Sequence, residues 1–201
     1  IIVWGVGYFK TDRSDVHYVK CDNEQHLIKQ FLMFWERNQP DIITGWNTKF
    51  FDLPYLCNRI IKICGEDEVK RLSPWRSVSS RRIYKMGREH QVYDIQGVAN
   101  LDYFDLYRKF TYTAQESYRL DHIAYVELGE RKDGNPYETF RDWYTKDYQS
   151  FLDYNIQDVE LVDKLDDKMK LIDLILTMTY EAKVNMSDSF TSVKYWDILI
   201  Y

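Results

Sequence analysis

The stretch that most limits what this chain can fold into is a strand, a loop and a helix in direct succession. Asp41-Ile-Ile-Thr44 reads as a short buried strand running into Gly45. Beyond it Leu53, Leu56, Cys57, Ile60, Ile61 and Cys64 recur at the three- and four-residue spacing of an amphipathic helix. The rest of the chain repeats the alternation. Residues 1–10 and 16–20 read as two strands across a polar turn at 11–14, and residues 23–37 as a helix with Leu27, Phe31 and Trp35 on one stripe. Residues 78–85 and 91–95, joined across 86–90, read as a β-hairpin arm with Gly87 in its turn. Residues 98–107 read as a further strand, and 111–135 as mixed, broken by Gly129 and Gly134. From 148 to 178 apolar residues fall every three or four positions, giving one long helix or two in tandem. Strands alternating with helices predict an α/β sandwich around a mixed sheet. With 201 residues, 45% of them apolar and 16% aromatic, the chain can bury a sizeable core.

No run of eighteen apolar residues occurs, and the apolar start has no basic flank or cleavage site, so neither a membrane span nor a signal peptide is expected. The first residue, Ile1, already lies inside a strand-like run, which reads as a cut end. Three cysteines without metal-ligand spacing fit a reducing compartment and burial as small apolar groups. A formal charge of −5 argues against bulk electrostatic capture of nucleic acid. The distribution says more, because residues 70–88 carry seven basic side chains and no acid. That run is either a solvated surface or a nucleic-acid contact.

Two short patterns could carry chemistry. Asp52 stands just before Pro54, where a helix begins, so it either caps that helix or serves a site at its start. Tyr154 and Asp158, four apart on a helix, share one face and either pack at the core edge or belong to one site.

Together and in this order the two patterns resemble the second and third exonuclease motifs of family B DNA polymerases. Asn47, Phe51 and Asp52 fill the first, Tyr154 and Asp158 the second. Ile43-Thr-Gly-Trp-Asn47, Lys70-Arg-Leu-Ser-Pro74, Leu101-Asp-Tyr-Phe-Asp-Leu-Tyr107 and Val193-Lys-Tyr-Trp-Asp197 are similar to stretches of the bacteriophage, T-even-like branch. The resemblance covers essentially the whole chain. It implies a ribonuclease-H-like fold, a mixed sheet flanked by helices with a protruding β-hairpin at about 78–95. It also implies an exonuclease unit over 1–178, with 179–201 beginning the connection toward a polymerase domain. The implied activity is proofreading 3′→5′ hydrolysis of DNA by two divalent ions, Mg²⁺ or Mn²⁺, about 4 Å apart. Asp52 and Asp158 would bind metal, and Tyr154 would orient the attacking water. Asn47 and Phe51 would line the place of the terminal nucleotides, and Arg81, Arg82, Lys85 and Arg88 of the arm would contact DNA. The implied partners are single-stranded or frayed primer DNA and the rest of a polymerase chain, in the cytoplasm of an infected cell.

One element of that pattern lies elsewhere. The family's first motif, an Asp-x-Glu pair on an upstream strand, is expected before Ile1. The Asp22-Asn23-Glu24 of this chain precedes a helix, where such residues cap it and serve its dipole. Two carboxylates cannot neutralise two close dications, so weak metal binding and little turnover are expected of these residues alone. A sheet lacking one strand exposes unpaired backbone, so dimerisation, strand replacement or disorder near the gap is expected too. Two other readings stay open: a noncatalytic nucleic-acid-binding module, and an exonuclease of the same superfamily acting on RNA.

Overall fold

The structure, a computed structural model, describes residues 3–7, 16–85, 87–131, 134, 136–188, 197 and 200. The turn expected at 11–14, Met86 in the hairpin turn, and the Val193–Trp196 part of the tail motif lie outside the described residues.

Strand β1 (Trp4–Val6) pairs antiparallel with β2 (His17–Val19). Gly5 faces Tyr18 across this ribbon, and a Cβ there would meet the tyrosine ring at 2.8 Å. Asn23 then starts α1 (Glu24–Arg37), its side chain accepting the His26 N–H at 2.8 Å. The helix buries Leu27, Ile28 and Leu32, while Phe31 and Phe34 pack on Trp4 and tie the ribbon to it. The Asp22-Asn23-Glu24 sequence is therefore spent on helix α1, as its position suggested. Glu24 meets Arg59 in a two-pronged pair that pulls its pKa down to about 2.

Strand β3 (Ile42–Gly45) leads through a π-turn (Thr48–Asp52) into α2 (Leu53–Cys64), followed by the short α3 (Glu66–Val69). Strands β4 (Val78–Lys85) and β5 (Arg88–Ile95) form a long antiparallel hairpin in register from Val78↔Ile95 to Lys85↔Arg88. Its turn is tighter than the sequence suggested, since pairing resumes at Arg88. Strand β6 (Ala99–Asp102) lies parallel to β3, from Ile42↔Ala99 to Gly45↔Asp102.

The strand expected over 98–107 ends at Asp102, where α4 (Tyr103–Phe110) begins. Aromatic residues favour strands in isolation, but Tyr103, Phe104, Leu106 and Tyr107 are all buried at helical spacing. Asp102 also caps the helix by accepting the Phe104 N–H at 3.1 Å. Helices α5 (Leu120–Leu128), α6 (Phe140–Lys146), α7 (Tyr148–Met169) and α8 (Leu171–Ala182) complete the chain. Lys170, left-handed at φ 54, separates α7 from α8, so the tandem reading holds. Helix α8 runs on through residue 178.

The β3–β6 pair stands between two cores. Ile43 packs with α1, α2 and the hairpin base around Leu32, Cys57, Ile60 and Ile95. Its neighbour Ile42 faces the other way, onto Leu101, Tyr107, Leu161, Leu165 and Ile175. Adjacent strand residues thus serve opposite layers. In place of one continuous mixed sheet, the described residues form three two-stranded ladders, one parallel and two antiparallel. β1 and β3 do not pair with each other, and each has one unpaired edge among the described residues.

Candidate active site

The site is built where β3 stops. Asn47 takes a left-handed backbone, φ 67 and ψ 30, which asparagine tolerates better than most residues. Asp102, at the end of the neighbouring strand, holds this bend. The Asn47 N–H donates to its Oδ1 and the Lys49 N–H to its Oδ2, each at 2.9 Å. Thr48 donates to Asn100 Oδ1 at 2.8 Å. Asp102 is 1% exposed, and that burial pushes its pKa up to about 6. The three backbone N–H groups offset part of the rise, and the charge of Asp105 adds to it.

From this bend the π-turn carries Phe50, Phe51 and Asp52. A π-turn changes the rotation of successive residues relative to an α-helix, and Phe51 is left 66% exposed. Asp52 is also exposed, and its side chain makes no cap hydrogen bond. The capping reading fails for a backbone reason: Asp52 has φ −67 and ψ −50, inside a continuous helical run, whereas a capping residue is extended.

Helix α7 supplies the other half. Asp147 accepts the Ser150 N–H at 3.2 Å at its start, and one turn separates Tyr154 from Asp158. Tyr154 packs on Trp143 with ring centroids 4.9 Å apart, and on Phe140, so its ring does belong to the core edge. Tyr154 also lines the cleft, together with Asn47, Phe51, Asp52 and Asp158. Burial raises the Tyr154 pKa, and the charges of Asp158 and Asp121 raise it further. Loss of hydration likewise raises Asp52, with Asp158 adding to the rise. The charge of Asp158 thus reaches both Tyr154, one turn away, and Asp52, more than half the sequence away.

The basic run divides. Lys85 and Arg88 line the same cleft. Arg81 lies along a separate groove with Trp75 and Tyr93, and meets Asp94 at 2.8 Å. Arg82 is exposed on the arm, 3.6 Å from Glu89. Lys85 itself meets Asp105 at 3.2 Å and lies over the Phe50 ring. Arg71 and Arg76 both pair with Glu36. The acid-free run is thus neutralised largely from other segments, which a local count of charge misses. Phe50 also packs on His90 of the arm, with ring centroids 5.0 Å apart and the planes tilted by 60°, so the arm and the π-turn share one contact.

Carboxylate oxygens are the right donors for a hard divalent ion. Yet among the described residues no three His, Cys, Asp or Glu side chains gather so as to hold a metal. Asp52 and Asp158 fit such an ion in kind but fall short in number. Among the described residues no helix is long and apolar enough to cross a membrane.

Residues 9–123, more than half of the chain, match the DNA polymerase family B exonuclease domain. The chain belongs to that family. This exonuclease domain is 40% identical over 186 residues to the DNA-directed DNA polymerase of Escherichia phage RB69, covering 92% of the chain and 20% of the relative. It is 39% identical to that of Enterobacteria phage T4, covering 92% and 21%. A DNA polymerase of Orgyia pseudotsugata multicapsid polyhedrosis virus is 26% identical over 90% of the chain and 19% of the relative. The domain thus spans about a fifth of the length of these relatives, and is T4-like within its family. Asp102 was missed as a site residue by sequence reasoning, although a lone Asp between an apolar strand and an aromatic helix is a capping signal that could have drawn attention to it.

Proposed function

We propose that the cleft is the proofreading 3′→5′ exonuclease site of a longer DNA polymerase. The observation that carries this reading is that Asp52, Tyr154 and Asp158 line one cleft together with Asn47 and Phe51. A parallel strand pair with helices on both faces and acids beyond the strand ends supports a ribonuclease-H-like fold.

The reaction adds water across the terminal P–O3′ bond, releasing a nucleoside 5′-monophosphate and leaving a new 3′-hydroxyl. Asp52 and Asp158 contribute oxygen ligands toward the divalent ions, and the missing carboxylates come from sequence outside these residues. Bound ions would supply charge neutralisation at the scissile phosphate. Tyr154, its pKa raised, stays protonated at neutral pH and holds water by its hydroxyl. Exposed Phe51 offers a ring on which a terminal base stacks. Asn47, fixed by Asp102, shapes the floor beneath that base. The arm stands beside the cleft with Lys85 and Arg88 toward the DNA, a placement suited to parting primer from template.

The test is release of nucleotides from single-stranded DNA with magnesium or manganese. The 201 residues alone should be nearly inactive and the full reading frame active. In the full protein, D52N and D158N should each lower the rate at least about a hundredfold, and Y154F about tenfold or more. Full activity of D158N overturns the assignment, whereas robust turnover by the 201-residue form overturns only the expected impairment of these residues alone. Among the described residues no three His, Cys, Asp or Glu side chains gather to hold a metal, and the second reading is a noncatalytic nucleic-acid-binding module. It predicts DNA binding by the full protein with no hydrolysis.

A further inference from the structure

Five aspartates, Asp52, Asp121, Asp158, Asp163 and Asp166, line the cleft that a DNA strand is proposed to enter. A polyanion enters such a place only if cations on the walls offset the repulsion. Of the cleft's cations, Lys85 is already engaged by Asp105. Arg119 also lines the cleft, on the loop before α5, and is exposed. Among the described residues no carboxylate forms an ion pair with it.

Its position is locally unfavourable. Arg119 is the N-cap of α5 and makes no side-chain cap hydrogen bond. Ser, Thr, Asp or Asn would satisfy an orphan N–H there, and a cation faces the positive end of the helix dipole. A residue that breaks local preference without a packing return marks function more often than stability.

The backbone that presents it is firmly held. The carbonyl of Tyr118 accepts the Trp46 indole N–H at 3.2 Å, and its ring packs on Phe104 and Tyr107. Trp46 directly precedes Asn47, so the loop carrying Arg119 is fixed to the bend that presents Asp52.

We propose that Arg119 is a DNA-backbone contact of the exonuclease cleft, its guanidinium holding a phosphate of the strand whose 3′ end lies at Asp52 and Asp158. This rests on the exonuclease reading above. Arg119 comes to the cleft from a different segment than the arm's Arg88, and it acts on binding rather than on the bond broken.

The experiment uses the full-length protein and a single-stranded oligonucleotide, comparing wild type with R119A, R119S and R119K. R119A should raise KM roughly five- to tenfold with kcat nearly unchanged, and R119K should recover part of the loss. The slope of log(kcat/KM) against log[salt] should flatten by about 0.7, one single-strand phosphate contact. An oligonucleotide with one neutral methylphosphonate linkage, scanned from the 3′ end, should show a position that weakens wild type but not R119A. R119S should raise Tm while KM still rises, because a proper cap replaces a misplaced charge. Unchanged KM and salt slope in R119A, or a fall in kcat with a fall in Tm, overturns the proposal. Wild-type protein that releases no nucleotide removes the exonuclease reading and this proposal together. Active wild type with an unaffected R119A removes this proposal alone.

Discussion

Asp102 gives the sharpest test of how the site is held. Its carboxylate is 1% exposed and accepts three backbone N–H groups, from Asn47, Lys49 and Phe104. Burial outweighs those bonds and lifts the pKa from an ordinary value of 3.8 to about 6. A folded-state pKa above the unfolded one means that the contribution to stability is complete below the unfolded value. It is lost as pH rises through the folded value. Between pH 7 and pH 5 the folded protein takes up about three-quarters of a proton that the unfolded chain does not. At 1.36 kcal/mol per pH unit and proton, integrated over that interval, Asp102 contributes about 1.3 kcal/mol more stability at pH 5.

D102N removes the titration and keeps the shape. Urea unfolding of wild type and D102N at both pH values isolates the term, since other groups cancel in the difference. Wild type should gain about 1.3 kcal/mol on D102N between pH 7 and pH 5. The amide also turns an NH2 toward a backbone N–H that the carboxylate satisfied, which loosens the bend at Asn47–Lys49. Exonuclease rate in the full-length protein should therefore fall even at the pH where stability is matched. A pH difference of zero, or one in which wild type loses ground at pH 5, refutes the reasoning. It would mean that the three N–H bonds dominate desolvation.

Two further outcomes follow from contacts outside the carboxylates. F50A removes the ring shared by His90, Lys85 and the π-turn, so hydrogen exchange should speed up at the tip end of β4 and β5. Destabilisation of about 1–2 kcal/mol should accompany it, while unchanged exchange would show that the arm is held elsewhere. E24Q breaks the pair with Arg59, whose guanidinium holds the Glu24 pKa down at about 2. A depressed carboxylate stabilises above its unfolded pKa of 4.5 and loses that effect as pH falls through about 2. The urea midpoint of E24Q should thus trail wild type at pH 7 and converge with it near pH 2.

What the sequence displayed well was everything with a repeat in it. The stripes of α1 and α2, the existence of the hairpin though not its tighter turn, and the Tyr154–Asp158 spacing all follow from period-two or period-3.6 patterns. What it hid depended on partners far along the chain. Residues 98–107 looked extended because their aromatic content favours strands, and only the Asp102 cap and the burial of Tyr103 and Tyr107 make α4 helical. Asp52 looked like a cap because a proline follows, yet the π-turn that keeps it helical is fixed by Asp102, fifty residues on. Arg119 had no local signal except being a poor cap for α5.

The same distance effect governs charge. Residues 70–88 look like a nucleic-acid grip when read alone, but Glu36, Asp94, Glu89 and Asp105 take up Arg71, Arg76, Arg81, Arg82 and Lys85. With a formal charge of −5 the molecule offers no broad positive field for DNA. Attraction must then come from a few cations set beside the cleft, and Arg88 and Arg119 are there. On the proposed exonuclease reading, a strand end would be held weakly and locally, and its affinity should respond shallowly to salt because few counterions would be released.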